Sequence, residues 1–140
     1  MEPQIETAAP PIAVTREDHD RLADLAAAAS DRLPEVADRL SAELARARIV
    51  DKAAPSLVTM GAQVSFRDED SGEVRDVILV YPKDQDLAQG RLSVLTPVGT
   101  ALLGLSAGQS IPWRTRDGRW KTLTVVNAAH SAAASTGAEA

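Results

Sequence analysis

The first apolar stripe along the chain has helical spacing. It consists of a histidine and four aliphatic positions, three or four residues apart for the most part: His19, Leu22, Leu25, Ala26 and Ala29. Thr15 is a favourable N-cap, and Asp18 three residues later gives a pattern similar to a capping box. The pattern predicts a helix from Thr15 to about Ser30.

A second stripe follows at spacings of four, four and three: Val36, Leu40, Leu44 and Ala47. Pro34 precedes it, and proline is costly inside a helix but suits its first turn. Because only residues 30–33 separate the two helices, the pattern predicts a short antiparallel helical hairpin over residues 15–50.

Beyond a linker at residues 51–56, the spacing changes to that of strands and turns. We expect short strands at residues 58–60 and 63–66, a hairpin loop at 68–72 and a return strand at 73–81. A polar loop follows at 82–90. Asp117-Gly118 is a strong hairpin signal between strands at 112–115 and 120–126. Residues 57–129 are therefore predicted to form one domain of strands that pair through hairpins.

Within that domain, residues 91–111 read as strand, helix, turn and strand. Leu92, Val94 and Leu95 predict a buried strand. Thr96 can cap the next helix, and Pro97 suits its first position. Gly104 can end this short helix in the left-handed conformation. The fold class predicted is α+β, with a helical hairpin followed by an antiparallel β domain that contains one short helix.

The amino-acid composition restricts the possible functions of the chain more than it restricts the possible folds. The chain has 140 residues, no cysteine and two histidines, which excludes disulfides and thiolate metal sites. We identify no catalytic set, no cofactor and no metal ligands. No signal peptide or membrane span is apparent, so we expect a cytoplasmic protein. Residues 1–14 and 130–140 are rich in Ala and Pro or Ser, and we expect both to be mobile tails.

Charge argues against a nucleic-acid partner. Residues 1–55 carry 11 acidic and 7 basic side chains, and the whole chain has a net charge of −5. A protein without a basic patch is poorly suited to bind a phosphate backbone. We therefore expect no direct specific nucleic-acid binding and a protein partner, with the chain itself a monomer.

Several segments carry a resemblance to a known family. They are Val58-Thr59-Met60, Val64-Ser65-Phe66-Arg67, Leu79-Val80-Tyr81-Pro82, Leu92-Ser93-Val94 and the run from Thr96 to Leu105. Over residues 15–129 the chain resembles the Gre transcript-cleavage factors, and more specifically their Rnk relatives, which are named as regulators of nucleoside diphosphate kinase. The resemblance implies that residues 57–129 have the Gre C-terminal fold, which is like that of the FK506-binding proteins.

The resemblance also implies a partner and a site. Gre factors bind RNA polymerase at the rim of its secondary channel, and the matching loop here is Leu95-Thr96-Pro97. Their long hairpin carries tip acids that help to position a catalytic magnesium. Here the tip offers Asp31, Arg32 and Glu35 as partner-binding residues. Because the hairpin is much shorter than theirs, we expect competition with Gre-type factors without cleavage.

The sequence is also compatible with two enzymatic functions. One is magnesium-assisted transcript cleavage that uses Asp31 and Glu35, since hard carboxylates suit magnesium. A purely structural role for the same acids is that Asp31 caps the turn and Glu35 pairs with Arg39. The other alternative is a prolyl isomerase, which fold analogy alone suggests.

Overall fold

Two helices occupy the N-terminal part of the chain, in a computed structural model that describes residues 10–115 and 117–129. Helix α1 spans Arg16–Ala29 and helix α2 spans Pro34–Arg46. The Thr15 hydroxyl accepts the backbone N–H of Asp18 at 3.2 Å, so the predicted cap is present. The predicted break is also present, because α2 begins at Pro34 after the turn at 30–33.

The two helices pack through the predicted stripes. Their buried aliphatic residues are Leu22, Ala26, Ala29, Ala37, Leu40 and Leu44. The His19 Nε2 atom lies 3.3 Å from the Leu44 carbonyl oxygen, 25 residues further on. The start of α1 is therefore beside the end of α2, and the turn at 30–33 is the end of the pair that points away from this contact.

The segment before α1 differs from the expected tail. Strand β1 (Ala13–Thr15) pairs in parallel with strand β2 (Arg48–Val50), which follows α2. Ile12, Ala13 and Val14 are all buried. The prediction that residues 1–14 form a mobile tail is therefore wrong for 12–14, because these side chains join the core and their strand partner lies far along the chain. Residues 1–9 and 130–140 lie outside the described residues.

Five strands form the main sheet: β3 (Gln63–Asp68), β4 (Val74–Val80), β5 (Arg91–Ser93), β6 (Ser110–Arg114) and β7 (Trp120–Ala129). Their order is β5-β4-β3-β7-β6. The β4–β5 pair is parallel and the other three pairs are antiparallel, so the sheet is mixed and the prediction of an antiparallel domain needs correction. The reason is the connection at 81–90, which returns the chain through two short 3-10 turns instead of a hairpin.

The predicted strand at residues 58–60 is absent from the described sheet. Val58 instead uses its backbone groups in the interior. Its N–H donates to the Leu105 carbonyl at 2.8 Å, and its carbonyl accepts the N–H of Gly104 at 3.0 Å. These bonds replace a strand partner, and the neighbouring Leu57 forms an isolated bridge with Ser106.

Helix α3 (Pro97–Leu102) covers one side of the sheet. Leu102, Leu103 and Leu105 pack with sheet residues such as Leu79 and Leu123, and all five are at most 1% exposed. Leu22 and Leu40 of the helix pair belong to the same continuous cluster. The helix pair and the sheet therefore share one core, although the division into units at residues 51–56 stays a prediction.

The close approach of α3 to β5 yields a stability prediction. A Cβ atom at Gly99 would collide with the Ser93 carbonyl oxygen and lie 2.8 Å from the Val94 Cα. Backbone atoms cannot move aside as a flexible side chain can, so we expect Gly99→Ala to lower the free energy of unfolding by about 2–3 kcal/mol, as overpacking does. Urea unfolding of the purified variant measures this.

Gly72→Ala is the matched control. Gly72 has a φ of +78° but nothing within 4 Å of an added Cβ, so only the backbone strain of about 1 kcal/mol is expected there. Equal losses in the two variants would contradict the steric account of Gly99.

Candidate partner-binding site

The turn before α3 is held by its own side chains. Thr96 Oγ1 accepts the N–H of Gly99 at 3.0 Å and donates to the Ser93 carbonyl at 2.8 Å. The Leu95 N–H donates to Ser93 Oγ at 2.9 Å. With Pro97 fixing the first helical φ, the loop has little conformational freedom left to lose when a partner binds.

Leu95 is only 7% exposed and belongs to the core cluster. Its side chain packs inward where the chain passes from β5 to α3, so it offers a partner little surface. This burial argues against the prediction of Leu95 as a partner-binding residue, which stays a prediction. Thr96 and Pro97 are half-buried and keep accessible surface.

A groove of about 530 Å³ lies beside Thr96 and Pro97. The groove is lined by the loop at 82–90, β5, the start of α3, β6 and the turn that follows β6. The lining residues are Gln85, Leu87, Leu92, Thr96, Pro97, Val98, Trp113, Thr115, Asp117 and Arg119. Leu87 is 66% exposed, so its side chain adds accessible apolar surface to the groove. Five of the ten lining residues are apolar and five are polar or charged, so the groove could contact a partner through both kinds of surface.

Trp113 lines the groove and carries an unpaired hydrogen-bond donor. Its indole Nε1 is buried and has no hydrogen-bond partner among the described residues. Buried donors are rarely left unpaired, because desolvation of an unpaired N–H costs about 1–3 kcal/mol. Lys121 lies over the face of the same ring, with its Nζ 5.9 Å from the centroid.

The two tryptophans are not cross-strand partners of each other. Trp113 is opposite Lys121, and Trp120 is opposite Arg114. Trp120 is 62% exposed and lies beneath the Arg114 guanidinium, 5.9 Å from it. Only Trp113 therefore contributes to the groove and packs against the core.

The tip residues lie in a different part of the molecule. Asp31, Arg32 and Glu35 are all exposed at the turn between α1 and α2, next to Leu33, which is 38% exposed. The expected pairing of Glu35 with Arg39 is wrong, because Arg39 Nε bonds Glu43 at 3.1 Å instead. Nothing in the described residues gathers three or more potential metal ligands, at the tip or elsewhere.

A second, smaller cleft of about 320 Å³ lies where α1 meets the end of β4, with Asp18, Met60 and Tyr81 in its lining. Asp18 Oδ2 accepts the backbone N–H of Met60 at 3.2 Å, so this side chain links α1 to the sheet part. Burial raises the pKa of Asp18 above its usual value of 3.8, and the hydrogen bond from Met60 offsets part of this effect.

Sequence reasoning missed Leu87 and Trp113 as site residues. Leu87 lies in the polar loop predicted at 82–90, and Trp113 lies in the strand predicted at 112–115. The available signal was that Leu87 is an isolated large aliphatic side chain among the polar residues of 82–90. Among the helices that the structure describes, none is long and apolar enough to cross a membrane.

The fold and the groove together describe a class of protein in which a pair of helices shares its core with a mixed sheet and a groove lies beside the sheet's short helix. Residues 53–130 match the family described as transcription elongation factor GreA/GreB, C-terminal region, and residues 10–50 match the family described as Rnk N-terminus. Because the first match covers more than half of the chain, this chain belongs to the GreA/GreB family. The resemblance drawn from the sequence motifs is confirmed.

Individual relatives agree with this membership. The "Regulator of nucleoside diphosphate kinase" of Escherichia coli strain K12 is 45% identical over 85 residues, 59% of this chain and 62% of that protein. The transcription elongation factor GreA of Thermodesulfovibrio yellowstonii is 38% identical over 74 residues, 51% of this chain and 47% of that protein. The match thus spans less than two thirds of these curated relatives.

A solved structure is similar over more of the chain. It is described as a prokaryotic transcription elongation factor GreA/GreB from Nitrosomonas europaea, and it is 40% identical with a TM-score of 0.66. The similarity covers 86% of this chain and 99% of that one. The arrangement of helix pair and sheet is therefore shared with a Gre-family structure.

The raised pKa of Asp18 predicts a pH dependence of stability. Since the pKa is higher in the folded state, the folded protein binds this proton more tightly than the unfolded chain does. The resulting stabilisation is fully present below the unfolded pKa of 3.8 and is lost as the pH rises through the folded pKa. Asp18→Asn keeps an acceptor for Met60 and removes the titration, so its stability relative to the parent should increase over that interval.

Thermal unfolding at a series of pH values from about 3.5 to 7 measures this difference. Asp20→Asn, at an exposed position of the same helix, controls for the loss of one negative charge. A difference between Asp18→Asn and the parent that stays constant with pH would show that burial does not govern the titration of Asp18.

Proposed function

We propose that this protein is a transcription regulator that binds RNA polymerase at the rim of the secondary channel. There it competes with Gre-type factors and does not cleave the transcript. The observation that carries the proposal is the groove beside Thr96 and Pro97, at the position of the loop that docks on polymerase in Gre factors. Membership of the GreA/GreB family supports the link to transcription.

The chemistry of the groove fits a protein partner. Leu87, Pro97 and Val98 offer apolar surface around a wall that is already ordered by the Thr96 cap. Interface hot spots are enriched in tryptophan and arginine, and Trp113 and Arg119 both line the groove.

The helices α1 and α2 would act as a short antiparallel hairpin. With 13 residues in α2 and a rise of 1.5 Å per residue, the pair is about 20 Å long. This length suits occupation of a channel entrance, where Asp31, Arg32 and Glu35 at the tip would face the polymerase. Occupation of the entrance alone is enough to exclude a competing factor.

The proposal also includes the division into units, the monomeric state and the localisation that the sequence predicts. The helical unit at residues 15–50 and the unit at 57–129, with its FK506-binding-protein-like fold, would act as two parts of a cytoplasmic monomer. No catalytic role, cofactor or direct nucleic-acid contact is assigned to either. The net charge of −5 supports a protein partner over a phosphate backbone.

Two variants test the docking groove. Leu87→Asp adds a charge at an exposed wall residue, and Pro97→Asp does so at the first position of α3, where a negative charge suits the helix dipole. We expect each to weaken binding to core polymerase by roughly 30-fold, the equivalent of a loss of about 2 kcal/mol at a hot spot. A pull-down titrated with a Gre-type competitor measures the effect.

Val74→Asp is the matched control, since Val74 is 53% exposed on β4 and does not line the groove. Leu95→Asp is unsuitable, because it would place a charge in the core. If Leu87→Asp and Pro97→Asp are folded and bind as well as Val74→Asp does, the docking site lies elsewhere.

The tip acids are expected to be dispensable for competition. Asp31→Asn combined with Glu35→Gln removes both carboxylates but leaves the length of the helices unchanged. Magnesium requires oxygen ligands at about 2.0–2.1 Å, so a tip that does not reach the metal contributes no chemistry. We therefore expect the double variant to compete as the parent does.

The decisive assay uses a backtracked elongation complex with magnesium and the purified protein. We expect the transcript to shorten at the intrinsic rate of the polymerase, with parent and double variant alike. Faster shortening with the parent, lost in the double variant, would replace competition by magnesium-assisted cleavage.

A further inference from the structure

A buried carboxylate on α2 holds two arginines. Glu43 is 4% exposed, and it is the one acidic residue among the described residues that is buried. Its Oε2 accepts Arg39 Nε at 3.1 Å, and its Oε1 accepts Arg46 Nε at 2.9 Å. Arg46 Nη2 lies 2.8 Å from the same Oε1, so the second pairing is bidentate on the arginine side.

Each arginine also reaches beyond the helix. Arg39 Nη2 donates to the Pro112 carbonyl at 3.4 Å, and Arg46 Nη1 donates to the Pro10 carbonyl at 2.5 Å. Pro112 belongs to β6, at the edge of the main sheet, whereas Pro10 leads into β1. One carboxylate thus orients two guanidinium groups that bind two separate segments.

Pro112 is a suitable anchor for such a contact. In an antiparallel strand, the N–H and C=O of one residue point to the same side, and proline is tolerated where that side faces away from the partner strand. The Pro112 carbonyl therefore points out from the sheet edge, where no strand neighbour is available. Arg39 supplies its donor.

We propose that Glu43 is the positioning residue that fixes the angle of the helix pair on the sheet. The planar guanidinium forks hold one orientation when both are bound to a charged carboxylate, and through them α2 is tied to β6 and to the entry of β1. The purpose of this arrangement rests on the proposed function, since the angle decides where the tip lies in the channel.

The length of the helices makes the angle matter. The turn at 30–33 is about 20 Å from the C-terminal end of α2, where Arg46 binds, so a tilt of about 10° about that end would move Asp31 by roughly 3–4 Å. Loss of the contacts of Glu43 with Arg39 and Arg46 should therefore appear as a displaced and broader distribution of tip positions. A purely local role, in which Glu43 pairs only stabilise α2, predicts no such change.

The absence of cysteine makes the test direct. Nitroxide labels are attached to Asp31→Cys at the tip and to either Glu73→Cys or Lys83→Cys on the sheet part, and pulsed electron–electron resonance gives the distance distribution. We expect Glu43→Gln to shift or broaden the distribution by several ångströms in at least one label pair, because a neutral amide has one acceptor oxygen for two guanidinium groups.

Arg39→Lys is the second variant, and it keeps the charge beside Glu43. A single ammonium group cannot reproduce the fork that binds Glu43 and Pro112 together, so the same change is expected. Glu17→Gln is the matched control, because it removes an exposed pair with Arg21 at 3.0 Å on the other helix. Its distributions should equal those of the parent.

Three results would overturn the inference. The first is unchanged distributions in folded Glu43→Gln and Arg39→Lys. The second is an equal change in Glu17→Gln, and the third is loss of amide-exchange protection throughout α2 in both variants, which would mean that the cluster only stabilises the helix. All measurements use the free protein, so a failure to bind polymerase would refute the proposed function and leave this inference standing.

Discussion

The close approach of backbone segments at Gly104 is the constraint on which the rest of the structure depends. Gly104 has a φ of +82°, its carbonyl accepts the N–H of Ala13 at 3.2 Å, and its N–H donates to Val58 at 3.0 Å. A Cβ atom there would lie 2.9 Å from the Ile12 Cβ. The absence of a side chain therefore lets the entry to the helix pair, the segment after the linker and the end of α3 meet at one point.

Two surfaces of different character result: the ordered groove wall at α3 and the polar turn at 30–33. Helix α3 is fixed by the Thr96 cap at its start and by the Gly104 contacts beyond its end, so the groove wall loses little entropy on binding. The turn at 30–33 carries exposed charges and gathers no metal ligands among the described residues. In the proposed function, affinity would come from the groove, and the helix pair would contribute bulk at the channel entrance.

The sequence by itself determined the elements whose signals are local. The helix boundaries follow from the Thr15 cap and from Pro34, and α3 follows from Thr96-Pro97. The last hairpin follows from Asp117-Gly118. Each signal acts between residues a few positions apart, because capping, proline geometry and tight turns are properties of the chain over one or two turns. The motifs of residues 58–105 also sufficed to indicate the family, which the comparisons confirmed.

Tertiary structure decided whatever depends on partners distant in the chain. The parallel partner of β1 lies beyond both helices, so composition alone made 12–14 look like a tail. Leu95 is buried because β5 turns into α3 over the core, and a local apolar pattern cannot distinguish this from exposure. The groove exists because Leu87 and Trp113, 26 positions apart, are brought to the same side of α3. Burial and concavity arise from packing between segments, and no window of sequence contains both sides of such a contact.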